Sequence, residues 1–314
     1  MASNTKREAA PAQQPPERIS EHGTPLISDD KLRQLYSAML QCRALEERAR
    51  ALARRKNLLH FSSAGQQEAI LAAVSMDLRP DDTIAPSEGS FIADFVKGAS
   101  LHTTLHAMQC LIAAGSTGKG RSSPGPASPS SASLDDGAAN ALIPPASTAA
   151  QISIATGLGL AKKLRHTGHI VVVFARGRWA SAGVEEEALR FAGMHGLPIL
   201  YVVQDGTGAD SRSATGDDYG FPSIPVDGND LVALYRVAHE AIKRARQGGG
   251  PTLMDCKLRH CSDQLDHDRS ETDPVARMER YLATRKLFSQ DWKRQIVRAF
   301  KVELDAAVKQ ARRA

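Results

Sequence analysis

HIVVVFARGRWASAGVEEEALRFAGMHGLPILYVVQDG, residues 169–206, decides the fold. Val171 to Phe174 form an uncharged, mostly β-branched run, as a strand buried on both faces requires. VEEEALRFAGMH reads as a helix, with Glu185, Glu186 and Glu187 in its first turn, where the helix dipole favours acid. LPILYVV is a second buried strand. A strand, one helix and another strand make a right-handed crossover between parallel strands. The carboxyl ends of both strands then lie on one edge of the sheet. Arg176-Gly177-Arg178 and Asp205-Gly206 therefore face the same crevice, the usual ligand position in an open α/β sheet.

The pattern extends in both directions. Upstream, AQISIATGLGLAKKL is helical, and its small residues permit close packing. LRPDDTIAPSEGSF holds a turn and a short strand. The helix over 66–76 is apolar. Ser28-Asp29-Asp30 starts a long amphipathic helix to about Arg55. Its buried stripe is Leu32, Leu35, Tyr36, Met39, Leu40 and Leu45, and Arg43, Glu46, Glu47 and Arg50 lie on its opposite face. Downstream, IPVDG is a short strand, and Asn229 or Asp230 caps a helix through about Arg246. PTLMDCKL is a strand, and two helices follow Pro274. The fold class is α/β: a parallel sheet flanked by helices, with an N-terminal helix and a C-terminal helical extension over 274–314. Residues 1–27 are expected to be a disordered tail. Residues 28–314 form one domain, with a low-complexity loop at 115–147.

Composition narrows the function. The 314 residues are 42% hydrophobic, 5% aromatic and carry a net charge of +5. The basic residues are scattered and form no aromatic-interleaved patch, which argues against nucleic acid. No apolar run is long enough for a bilayer, no secretory signal is evident, and four cysteines make no secreted framework. A cytoplasmic location is expected. Cys256, His260, Cys261 and His267 have metal-ligand chemistry, but their spacing fits no zinc pattern, so no metal is assigned to them. GLGL at 157–160 sits inside a helix and is no dinucleotide fingerprint. Gly118-Lys119-Gly120-Arg121 lacks the strand–loop–helix frame of a phosphate loop.

Five segments in order carry a resemblance. LYSAMLQCRALEERA, LHFSSAGQQEAI, LRPDDTIAPS, GVEEEALRFAGMHGLPILYVV and IPVDGNDLVALYRVAHEAIKRARQGGGPTLMD together resemble the α subunit of 2-oxo acid dehydrogenase E1 components of pyruvate or branched-chain type. The similarity runs from about Leu32 to Ala311. It implies a thiamine-diphosphate-binding fold and oxidoreductase chemistry on 2-oxo acids. It also implies thiamine diphosphate with Mg²⁺ as cofactors and an α₂β₂ heterotetramer with a separate E1 β-type subunit. In that chemistry the cofactor drives loss of carbon dioxide and the acyl group passes to lipoamide.

The resemblance also locates the cofactor site. With Gly183 and Glu187 placed on the family's glycine and glutamate, the GDG motif falls on Arg176-Gly177-Arg178, and NN falls on Asp205-Gly206. The family's metal-ligating aspartate and asparagine thus become Gly177 and Gly206. Glu88 begins the stretch that matches YRDH, and His260 falls near the family's active-centre histidine. Mg²⁺ needs octahedral oxygen ligands, and glycine has no side-chain oxygen. The chain's own activity is therefore expected to be weak or absent. Three roles remain open for Arg176 and Arg178: pairing with Glu88 and Asp205, binding an anionic small molecule directly, or facing an acidic surface of a partner. The class alternatives are a non-catalytic interaction or regulatory subunit, and a binder of another anionic ligand.

Overall fold

Parallel strands buried on both faces organise the chain. The structure, a computed structural model, describes residues 27–55, 66–87, 90–116, 148–176, 183–206, 216–258 and 272–311. The expected tail lies outside these residues except for Ile27, which is buried. All of the expected loop beyond Ser116 also lies outside them.

The chain forms α1 (Asp29–Arg55), α2 (Glu68–Ser75), β1 (Thr83–Ala85), α3 (Ala93–Lys97), α4 (Leu101–Ser116), α5 (Thr148–Leu164) and β2 (Val171–Arg176). It continues with α6 (Val184–Met194), β3 (Ile199–Gly206), a 3-10 turn at Gly216–Tyr219, β4 (Ser223–Asp227), α7 (Leu231–Arg246), β5 (Thr252–Leu258), α8 (Pro274–Thr284) and α9 (Gln290–Ala311). The five strands are parallel, in the order β1-β2-β3-β5-β4. This is the fold class expected from the sequence.

Alternation along the strands separates two cores. Val171, Val173, Ile199, Tyr201 and Val203 pack against Ile152 and Ala155 of α5 and Leu189 and Ala192 of α6. Val172, Phe174, Leu200, Val202, Met254 and Cys256 face the larger core built with α1, α2 and α7. Gly159 lets α5 approach the sheet: a Cβ there would stand 2.6 Å from Ile199 Cδ1. Asp230 is the cap of α7, accepting from the Val232 and Ala233 amides, whereas the Asn229 amide donates to Thr272 O. Asp273 caps α8 ahead of Pro274.

One expectation needs correction. Arg43 and Glu46 do not lie on a solvated face of α1: Glu46 is buried, and Arg43 is largely withdrawn into ion pairs. The reason is packing, since α2, α8 and α9 cover α1 on more than its apolar stripe.

The helix at 93–97 carries a half-buried acid, Asp94. Burial raises the Asp94 carboxyl to about 6, with Lys97 drawing it partly back, and its Oδ1 has no partner. A carboxyl whose folded pKa is raised favours folding below its unfolded pKa. That contribution is lost as pH climbs through about 6. Asp94→Asn is thus expected to match the parent near pH 4 and to exceed it by about 1–2 kcal/mol at pH 8. Urea unfolding at both pH values checks this, and equal stabilities at pH 8 would refute it.

Candidate functional site at the carboxyl edge of the sheet

Backbone register brings the two candidate segments together. Arg176, the last residue of β2, pairs with Gln204 of β3, and Gln204 pairs in turn with Cys256 of β5. Asp205 is in register with Lys257, and Gly206 with Leu258. The end of β2 therefore lies beside the start of the Asp205-Gly206 pair, at one sheet edge.

The connections diverge at this edge. Beyond β1 the chain passes to the larger core, through Phe91, Ile92 and Ala93. Beyond β2 it passes to the other face, where α6 packs. Beyond β3 it stays on that second face, where Tyr219 and Phe221 lie, whereas beyond β5 it returns to the first through Val275 and Met278 of α8. Neighbouring strands whose connections leave to opposite faces open a crevice between their carboxyl ends. Arg176 borders the first such point and Asp205-Gly206 borders the second, so the two segments share one edge of the sheet but flank two crevices rather than the single one expected from the sequence.

Not every candidate can be placed. Glu88, Gly177, Arg178 and His260 lie outside the described residues, as do Cys261 and His267. By chain position Glu88 follows β1, Gly177 and Arg178 follow β2, and His260 follows β5. Gly183 is the N-cap of α6 at φ 119, a conformation that suits glycine, and it makes no side-chain cap. Glu187, one turn further, is exposed, while its neighbour Glu185 is buried. Among the described residues no group of three or more His, Cys, Asp or Glu side chains is arranged to hold a metal ion. Burial pushes the Cys256 thiol well above its ordinary range, so it is not a thiolate at neutral pH.

Polar groups beneath the edge went unread in the sequence. Gln204 is 2% exposed, and neither its amide nitrogen nor its oxygen has a partner among the described residues. In the sequence it is only one amide closing the apolar run ILYVV, which gives no periodic signal of burial. Lys257 pairs with Asp255 at 2.9 Å, and Asp255 Oδ1 is buried without a partner. Arg277 binds Asp227 at 2.6 Å and Asp230 at 2.7 Å, fixing the end of β4 to α8. Arg43 joins Glu68, at the start of α2, to Asp273, the cap of α8. An unsatisfied buried amide costs about 1–3 kcal/mol. Gln204→Met, similar in volume, is therefore expected to stabilise the ligand-free chain by about 1–2 kcal/mol. A fall in the urea midpoint would contradict that.

Comparison with known proteins agrees with this fold class. A family model described as "Dehydrogenase E1 component" matches residues 36–314. The chain belongs to the dehydrogenase E1 component family. Proteins named pyruvate dehydrogenase E1 component subunit alpha are similar to it along most of their length. That of Staphylococcus aureus strain Mu50 is 25% identical over 318 residues, covering 93% of this chain and 81% of the relative. That of Bacillus subtilis strain 168 is 24% identical over 320 residues, covering 94% and 81%. That of Staphylococcus epidermidis is 26% identical over 318 residues, covering 93% and 81%. The E1 match spans every strand of the sheet and both strand ends of the candidate site. No helix among the described residues is long and apolar enough to cross a membrane.

Proposed function

We propose that this chain is the alpha-type subunit of a 2-oxo acid dehydrogenase E1 assembly and joins a beta-type subunit in a cytoplasmic heterotetramer. In that assembly its own site is weak or inactive toward thiamine diphosphate. The observation that carries this reading is a conflict between frame and ligands. The family match covers the whole sheet, while the flank-aligned positions for the two metal-binding side chains are Gly177 and Gly206. Thiamine diphosphate, when held by such a fold, supplies the carbanion chemistry that 2-oxo acids need for decarboxylation. The residues present do not fit the metal that anchors it: two glycines offer no side-chain oxygen to Mg²⁺. An acid, Glu88, stands in the stretch that matches YRDH. The chain is in that sense a pseudoenzyme of oxidoreductase descent.

A second reading has support from the same glycines and the flanking Arg176 and Arg178. In it the chain is a non-catalytic interaction or regulatory subunit, whose guanidinium groups take an anionic small molecule or an acidic partner surface. One experiment tests the loss of the metal site that both readings share. Thiamine diphosphate with Mg²⁺ is titrated calorimetrically into the chain co-purified with an E1 beta-type subunit. The expected result is a stable complex without Mg²⁺-dependent saturable heat. Saturable, Mg²⁺-dependent binding by the natural chain would overturn the loss of ligands. The double variant Gly177→Asp, Gly206→Asn then asks what the pocket contains. Partial return of metal affinity would mean an otherwise intact E1 site. No return would mean that the arginines fill it.

A further inference from the structure

A groove of about 420 Å³ opens between α1, α3 and α9. Its floor is one stripe of α1, with Arg33, Gln34, Ser37 and Gln41. Phe95 and Val96 of α3 form one wall, and Trp292 of α9 forms the other. No carboxylate lines it. The Arg33 guanidinium lies 5.9 Å from the centroid of the Trp292 indole and has no acidic partner among the described residues. The indole is itself braced, its centroid 5.3 Å from that of Tyr36, and the Tyr36 hydroxyl donates to Glu279 at 2.8 Å. A fixed flat wall, apolar flanks and one uncompensated cation are thus brought together in a volume within the ~300–1,000 Å³ range of small-molecule sites.

We propose that this groove binds a small carboxylate with a flat or branched apolar body. The body lies against Trp292 and Phe95, the carboxylate takes the forked donors of Arg33, and the Gln34 and Gln41 amides lie within the same groove. Arginine suits the task because its guanidinium both stacks on indole and bonds a carboxylate with two parallel N–H groups. Neither an inorganic anion nor a neutral aromatic uses both halves of the groove.

The probe is 3-phenylpropionate, read by Trp292 fluorescence in a Trp179→Phe background, which leaves Trp292 as the only tryptophan. The expected result is a saturable change with a Kd of about 1 mM or tighter. It should weaken about five- to tenfold in Arg33→Gln, and by a similar factor for neutral 3-phenylpropanamide on the unmutated groove. The carboxylate and the amide should then bind Arg33→Gln equally. Gln34→Glu, which sets an acid beside Arg33 on an exposed turn of α1, should weaken the probe as well. The proposal is overturned by absence of saturable binding, by indifference of the probe to both variants, or by equal competition from inorganic phosphate.

Discussion

Arg43→Met is expected to lower folding stability by about 3–5 kcal/mol, because it leaves a buried carboxylate without its partner. The Glu68 side chain is 6% exposed, and its burial raises its pKa even though Arg43 draws it partway back. Arg43 Nε donates to Glu68 Oε1 at 3.0 Å, and Nη1 donates to Asp273 Oδ2 at 3.0 Å. Asp273 is also the cap of α8, accepting from the Val275 amide at 3.0 Å. One guanidinium thus closes α1 onto the starts of two helices. Methionine keeps the stem packing but none of the charge. Two further measurements make the cause identifiable. The double variant Arg43→Met, Glu68→Gln should recover a large part of the loss, since the uncompensated charge goes with the acid. The single variant should also be less impaired in acid than at neutral pH. Without Arg43, Glu68 is a buried acid with a raised folded pKa, so its contribution is favourable below the unfolded carboxyl range and lost as pH rises through the folded value. Urea unfolding at pH 5 and pH 8 reads both effects. A loss of less than about 1 kcal/mol, or one that is larger in acid, would show that the triad is a surface pairing of little consequence.

This triad also shows where sequence reading stopped. Continuous apolar runs predict strands at 169–175, 197–203 and 251–258, because strands buried on both faces read as such runs, and the structure places them at 171–176, 199–206 and 252–258. The cap chemistry of Ser28, Asp230 and Asp273 fixes helix starts locally, so those boundaries are readable from a few residues. The role of Arg43 is different in kind. Its partners are 25 and 230 positions away, and helical periodicity alone places it on a solvated face. The same holds for Arg277, which reaches Asp227 and Asp230 across the sheet edge. At the candidate site, the crossover rule is enough to place Arg176 beside the Asp205-Gly206 strand end. The buried Gln204 amide was not anticipated, because a single polar residue ending an apolar run carries no periodic signal. Short helices such as α3 were missed for a related reason: five residues give too few turns to establish a face.

Gly193→Ala is expected to cost about 2–4 kcal/mol, although alanine is the better helix former. Gly193 lies in the last turn of α6, where the 3-10 turn at Gly216–Tyr219 crosses it. A Cβ at Gly193 would stand 2.1 Å from the Tyr219 carbonyl oxygen and 3.1 Å from Phe221 Cδ1. The near atom is backbone, so no rotamer change relieves it. Either α6 or the turn must move, and both are packed: Tyr219 and Phe221 stack with centroids 6.2 Å apart, and Phe221 lies 6.0 Å from Tyr201 in the core beneath. The turn leads into β4, so the displacement would be passed to the edge of the sheet. Two helix glycines in the same layer provide the internal scale. A Cβ at Gly157 meets nothing within 4 Å, and Gly157→Ala should stabilise by about 0.5–1 kcal/mol through helix propensity alone. Gly159→Ala should fall between them, because the atoms it meets, Cγ1 and Cδ1 of Ile199, belong to a side chain and can shift by rotation, whereas a backbone carbonyl cannot. At about 2–4 °C per kcal/mol, melting temperatures should rank Gly157→Ala above the parent and Gly193→Ala lowest of the four. If Gly193→Ala melted with the parent, α6 and the turn would have to sit farther apart than a backbone contact allows, and close approach could not be what fixes glycine at this position.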